Sequence, residues 1–434
     1  MADRMGSHVW MPFTQMKTAP SPPLVVSGDG AILQLEDGRR LVDCISSWWV
    51  TLHGHGQPEI ARAIARQAER LEHVIAAGLT HHPAEELADK LVHLLPPRLN
   101  RIFYSDNGST CVEVALKIAV QFWRNRGLER SRFISFSGAY HGDTVGAMSV
   151  GERSLFTQPF SDLLFPVDTV DYPATHWEDR NPEKNENRSL EQLRRLLETG
   201  ADDYAAVIIE PLVQGAGGMR MCTESFLRQM QALVRQHDVL LIYDEVLVAF
   251  GRIGAMFACE KAGTEPDMVC LAKGLTGGFL PMAATACSEA LYAGFSSDDA
   301  AAAFHHGHSY TANPLGCAAA LASIELLEAN WDSLARIEEH HRRALEEMAA
   351  EPVIARPRVC GTIAALDLEL GNGTGYANPL ATVLRQRFMD RGFLLRPLGS
   401  TVYLVPPYCI ESAQLDAAYA CIREVAVELS QANR

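Results

Sequence analysis

Val239-Leu240-Leu241-Ile242-Tyr243-Asp244-Glu245 is an apolar run closed by two carboxylates, and its reading decides the fold. A strand apolar at every position suits the middle of a parallel sheet covered on both faces, since a half-exposed strand would alternate. Similar short runs occur at 102–104, 133–136, 206–209 and 268–271, with helical periodicity between them. Each ends in polar or glycine-rich residues, as expected where the carboxyl ends of parallel strands build a ligand site. The expected class is therefore α/β, with a large domain around a mainly parallel sheet. Asn313-Pro314 offers a capping side chain followed by proline, which starts a helix. Beyond it come a helix at 333–348, strand-like 363–370, a helix from 380 stopped by Gly392, short strands at 393–396 and 402–405, and a helix after Ser412. That pattern predicts a smaller α+β domain. The polar stretch 179–189 (DRNPEKNENRS) reads as an exposed loop.

The length of 434 residues allows two or three domains and an ample core. With 38 basic against 53 acidic residues the net charge is −15, which argues against a broad nucleic-acid or anionic-membrane footprint. The ten cysteines are scattered without a C-x-x-C pair, the pattern of reduced thiols in a cytoplasmic protein. No apolar run approaches the roughly 18 residues of a membrane span.

Four segments carry chemistry. Residues 101–117 read as strand, turn at Gly108 and helix, with Thr110 and Glu113 at capping-box spacing; a helix start beside Gly108 and Ser109 suits a phosphate, though an ordinary capped turn looks the same. Tyr140-His141 ends a strand between glycines and can lay a ring on a planar cofactor or pack in a loop. Asp244 at a strand's carboxyl end needs a cation or metal if its surroundings are apolar. Lys273, 29 residues later, lies one strand-helix-strand unit away and can bind phosphate or act as a nucleophile. No G-x-x-x-x-G-K-[ST] surrounds it, which rules out a P-loop, and no G-x-G-x-x-G follows an early strand, which argues against a dinucleotide enzyme. Phosphate cradle, aromatic face, carboxylate for a pyridinium nitrogen and imine-forming lysine together describe pyridoxal 5′-phosphate.

The chain resembles the class III (subgroup II) aminotransferases of PLP fold type I over nearly its whole length. The motifs are DNGS at 106–109, AYHGDT at 139–144, IIEPLVQGAGG at 208–218, IYDEV at 242–246, FGR at 250–252, AKGLTGG at 272–278 and HGHSYTANPLGCAAA at 306–320. HVWMPFTQM at 8–16, SSWWVTLHGHG at 46–56 and RPLGSTVYLVPPYCI at 396–410 resemble the branch that aminates 8-amino-7-oxononanoate to 7,8-diaminononanoate in biotin biosynthesis, with S-adenosylmethionine as amino donor. The other ω-aminotransferases, acting on ornithine, 4-aminobutyrate or similar amines, are the alternative; a silent cofactor-binding protein is disfavoured by the intact Lys273 and Asp244.

The resemblance implies a homodimer with shared active sites and a division into 1–55, an N-terminal segment joining the small domain, 56–318, the large cofactor domain, and 319–434, the small domain. It makes Lys273 the Schiff-base lysine and proton shuttle, Asp244 the partner of the ring nitrogen, and Tyr140 the stacking ring. Gly108, Ser109, His141, Glu210 and His308 complete the cofactor site, with Ser309 reaching the phosphate from the neighbouring subunit. Trp48, Asp143, Arg252, Gly307, Arg396 and Tyr403 fall to the substrate, Arg396 as carboxylate partner. Phe13 stands where this branch usually has tyrosine, Ser309 where it has threonine, and Val248, Ala249 and Ile253 depart from its T-G-F-G-R-T-G run. His305, His306, His53 and His55 read as loop histidines rather than metal ligands, and His340 and His341 as a solvated helix face.

Overall fold

The computed structural model describes residues 8–179, 181–370 and 380–432. Three N-terminal strands, β1 (Val25–Asp29), β2 (Ile32–Leu35) and β3 (Arg40–Asp43), form an antiparallel meander. The chain then enters the large sheet through β4 (Leu99–Ser105), β5 (Arg132–Phe136), β6 (Asp168–Val170) and β7 (Tyr204–Ile209). A small hairpin, β8 (Val213–Gln214) with β9 (Arg220–Met221), precedes β10 (Leu240–Asp244), β11 (Met268–Leu271) and β12 (Ala283–Ser288). The seven-stranded order is β4-β12-β11-β10-β7-β5-β6.

Both faces of this sheet are covered, which is why its middle strands are apolar throughout. Val207, Ile209, Leu241 and Tyr243 point into one core cluster, while Ala206, Ile208, Leu240 and Ile242 point into the other, against the helix Gly108–Asn125. The 102–104 run departs from expectation: β4 is an edge strand, and its one partner in the sheet, β12, runs antiparallel to it. Strand β12, Ala-Ala-Thr-Ala-Cys-Ser, has Thr285 as its one strand former among small residues and escapes a propensity reading. Its residues are small because the Gly108–Asn125 helix packs closely on it, with Thr285 Oγ1 donating to Cys111 O at 2.9 Å.

The C-terminal part forms a second sheet, β13 (Ile354–Cys360), β14 (Ile363–Leu368) and β16 (Thr401–Leu404), flanked by helices Asp332–Met348, Leu380–Asp390 and Ser412–Ala432. Strand β15 (Phe393–Leu394) instead pairs in parallel with β3, so both ends of the chain meet in one sheet. The 318/319 boundary falls inside the helix Pro314–Ala329, which packs on Pro58–Arg70 and His82–Leu94.

Two expectations need correction. Residues 182–189 are the start of the helix Pro182–Gly200, not a loop: Asn181 accepts from Lys184 N, proline occupies the first turn, and Leu190, Leu193 and Leu197 are buried beneath the polar face. His340 and His341 are buried. Tyr419 donates to His341 Nδ1 at 2.7 Å, which leaves Nε2–H to donate to Thr362 O, and His340 meets Asp416 at 3.0 Å.

Candidate active site

The carboxyl ends of β5 and β11 and the loops after β3 and β8 line a cavity of ≈1590 Å³. This exceeds the usual range of about 300–1000 Å³ for small-molecule sites and suits bulky substrates. Trp48, Tyr140, His141, Asp143 and Lys273 line it, along with Phe13. Asp244 lies immediately behind, its Oδ2 accepting from His141 Nδ1 at 2.7 Å and its Oδ1 from Val246 N at 3.0 Å. The other ring nitrogen, His141 Nε2, is buried without a hydrogen-bond partner among the described residues.

Lys273 follows β11 with φ +45°, on the left-handed side that non-glycine residues avoid unless their surroundings hold them there. Lys273 is half-buried on the cavity wall, and its amine makes no hydrogen bond among the described residues; Nζ lies 4.8 Å from the centre of the Trp49 ring. Burial pulls its pKa below the ordinary lysine range, opposed by the fields of Asp244 and Glu210. A buried amine with a larger neutral fraction is a nucleophile in waiting.

Glu210, directly after β7, ties two loops to the sheet: Oε1 accepts from Tyr140 N at 3.0 Å and Oε2 from Gly215 N at 2.9 Å. Burial pushes its carboxyl up to about 7. The Tyr140 hydroxyl donates to Asp143 at 2.9 Å, fixing the ring at the mouth.

The phosphate cradle expected from the sequence is built differently. The helix cap is Asn107, whose side chain accepts from Thr110 N at 3.1 Å while Thr110 Oγ1 accepts from Asn107 N at 3.1 Å. Glu113 is thereby released from capping its own helix and holds the next one, accepting from Thr144 Oγ1, Gly146 N and Ala147 N. A Cβ at Gly108 would sit 2.8 Å from Val246 Cγ1, so only glycine lets this helix start approach the β10 loop. Ser109 Oγ lies 2.7 Å from Thr144 Oγ1 and accepts from Thr144 N at 3.0 Å.

The two tryptophans arrive on a turn in which Ser46, Ser47, Trp48 and Trp49 all have positive φ, 48°, 46°, 86° and 73°. Each left-handed non-glycine residue costs roughly 1–2 kcal/mol. Trp49 is buried, with Nε1 donating to the Tyr403 hydroxyl at 3.2 Å, and the Arg396 guanidinium covers Trp48 at 4.7 Å from its centre.

The family model for class-III aminotransferases matches residues 14–426. The chain belongs to the class-III aminotransferases. Its relatives include the adenosylmethionine-8-amino-7-oxononanoate aminotransferases of Synechococcus elongatus, 54% identical over 97% of this chain and 99% of that protein, and of Geobacter sulfurreducens, 41% identical over 94% and 93%. The crystal structure of the enzyme so named from Methanocaldococcus jannaschii superposes with a TM-score of 0.88 at 33% identity, covering 96% of this chain and 97% of that one. A PLP-bound amine transaminase from an uncultivated Pseudomonas species gives 0.89 at 29% identity over 98% and 99%.

Against this class-III frame, several residues expected at the site lie outside the cavity lining. Arg252 is fully buried, Nη1 donating to Pro406 O at 2.6 Å and the guanidinium resting on Tyr408 at 5.0 Å. Tyr403 is buried under Trp49, and Arg396 covers the Trp48 indole, which lines the cavity. Gly307, His308 and Ser309 follow a loop laid along the Gly108–Asn125 helix, where His306 meets Lys117 at 2.9 Å and His308 lies 3.9 Å from Asp106. His53 is a core residue, its Nε2 3.0 Å from Ser323 Oγ and its pKa pushed down to about 4 by burial.

Sequence reading missed Arg220, Arg356, Arg358 and Asp367, which line the far end of the cavity. Asp367 pairs with Arg356 at 2.7 Å and Arg358 at 3.0 Å. No local signal marks them, since β9, β13 and β14 meet only in the fold.

Proposed function

We propose that the chain aminates 8-amino-7-oxononanoate to 7,8-diaminononanoate, with pyridoxal 5′-phosphate as resident cofactor and S-adenosylmethionine as amino donor, a step of biotin biosynthesis. The observation that carries this reading is the half-buried Lys273 amine, without a hydrogen bond among the described residues, sharing one cavity with Tyr140 and backed by the Asp244–His141 pair. The residues fit the cofactor: the glycine-limited helix start at 108–109 suits a phosphate, the Tyr140 ring a planar face, and the Asp244 carboxylate a protonated ring nitrogen. When bound, pyridoxal 5′-phosphate supplies a carbonyl that exchanges with amines and a cationic ring that takes up the electron pair released at the substrate carbon.

The chain's own residues supply the rest. Lys273 Nζ removes a proton from the substrate carbon and returns it at the neighbouring position, a task suited to an amine whose pKa is lowered by burial. His141 donates Nδ1–H to Asp244 and fixes the direction of its carboxylate. Glu210 locks the Tyr140 and Gly215 loops together. Trp48 and Tyr140 offer aromatic faces to the sulfonium of the donor. Arg396, beside Trp48, is the carboxylate partner of the keto acid.

The same reading takes a homodimer in which Ser309 and His308 complete the neighbour's phosphate site, the domain division 1–55, 56–318 and 319–434, and a cytoplasmic location. Among the described residues no helix is long and apolar enough to cross a membrane. Incubating the PLP-loaded protein with both substrates and measuring diaminononanoate by mass spectrometry tests the reading. Product formed with S-adenosylmethionine supports it; product formed only with ornithine or 4-aminobutyrate as donor moves the chain to the other ω-aminotransferases.

A further inference from the structure

The turn 46–49 places two indoles in the active site in a backbone conformation that its sequence does not favour. Ser-Ser-Trp-Trp contains no glycine, yet all four residues have positive φ. Such a segment persists only where its surroundings over-determine it. Core packing does not do so for Trp48, which remains 36% exposed and faces the cavity.

The restraint comes from one carboxylate. Asp43, the last residue of β3, is fully buried, and among the described residues every hydrogen bond its carboxylate makes goes to the turn or to its anchor. Oδ1 accepts from Ile45 N at 3.1 Å and Ser47 N at 3.0 Å; Oδ2 accepts from Ser47 Oγ at 2.8 Å and from His55 Nε2 at 2.9 Å. His55 is itself pinned by a two-way backbone bridge to Gly30. Ser46 Oγ ties the other side of the turn to Val405 O at 2.7 Å.

We propose that Asp43 is a positioning residue: by holding turn 46–49 left-handed, it sets Trp48 as a wall of the substrate cavity and Trp49 as the surface on which the Lys273 amine rests. This rests on the function proposed above for the substrates, but the geometry it concerns does not. Asp43 touches neither the cavity nor Lys273, and its effect reaches them through the indoles.

The test compares Asp43→Ala, Asp43→Asn and Ser47→Ala with the unsubstituted PLP-loaded protein, by near-UV circular dichroism of the tryptophans and by KM and kcat for each substrate. Asp43→Ala is expected to alter the tryptophan dichroism and raise KM for the keto acid by about tenfold to a hundredfold, the scale of a small misplacement in an active site. Asp43→Asn, which keeps an oxygen for the two backbone amides, is expected to restore part of both. Repeating Asp43→Ala on a Trp48→Phe background should shrink its effect on KM, because the two changes act on one wall. Native dichroism with unchanged KM in Asp43→Ala would overturn the proposal, as would an equal KM loss on both backgrounds. If Asp43→Ala does not fold, Ser47→Ala carries the same cycle with the same two outcomes. If the unsubstituted protein converts neither substrate, the function is wrong, and the dichroism of the variants still decides whether Asp43 holds the turn.

Discussion

Lys273 sits where an amine has reason to react: half-buried in the cavity wall, on an aromatic face, with carboxylates near enough to oppose the loss of its charge. Lys273→Ala should abolish amino transfer while leaving a folded chain that still binds PLP without a covalent bond, measured by turnover and by dialysis of the cofactor. Transfer near the original rate would remove Lys273 from the mechanism. Asp244→Asn should lower the rate by orders of magnitude and shift the absorbance of the bound cofactor, because a neutral partner no longer favours a protonated ring nitrogen. Arg396 and Arg252 should separate sharply. Arg396→Ala is expected to cost roughly 2–5 kcal/mol in kcat/KM, more for the keto acid than for S-adenosylmethionine. Arg252, buried against Pro406 and Tyr408, should on substitution by alanine lower thermal stability, with a smaller change in relative preference between the two substrates.

The elements that build the site show which parts of a sequence can be read. The strands β5, β7, β10 and β11 were legible because burial on both faces leaves a continuous apolar run, and the residues after them, Tyr140, Glu210, Asp244 and Lys273, are gathered by sheet geometry alone. The helix at Asn313-Pro314 was legible from its cap, and the same signature at Asn181-Pro182 went unread because polar composition outweighed it. β12 was hidden by alanines chosen for close helix packing, and the true cap Asn107 by a better-looking box three residues on. His341 was hidden because its partners, Thr362 and Tyr419, come from elements far along the chain. At this scale Asn107→Ala should cost about 1 kcal/mol of stability and weaken PLP retention, since the fraying first turn is the proposed phosphate cradle; urea unfolding and cofactor titration read the two effects.

Over the whole molecule, two opposed sets of buried groups shape stability against pH. Burial holds Glu210 and Glu245 at about 7, against 4.5 when exposed, so the folded chain keeps protons that the unfolded chain releases, and stability falls as pH rises through that window. Burial pushes His53 down to about 4 and His341 to about 3, from 6.5, so the unfolded chain binds protons that the folded chain refuses, and stability falls as pH drops from about 6.5. In unfolding free energies across this range, Glu245→Gln should flatten the limb of rising pH and His341→Gln the acid limb. The assembly has its own test: mixing inactive Lys273→Ala with a variant disabled at Ser309 should restore activity if subunits share phosphate sites, because mixed dimers regain one intact site. The central claim, amino transfer from S-adenosylmethionine to a keto acid through one cofactor, is tested most directly by titrating the PLP-loaded protein with each substrate alone and following cofactor absorbance. S-adenosylmethionine should convert the cofactor to its amine form, and 8-amino-7-oxononanoate added afterwards should restore the original spectrum. No change with S-adenosylmethionine, alongside full conversion by ornithine or 4-aminobutyrate, would contradict the account.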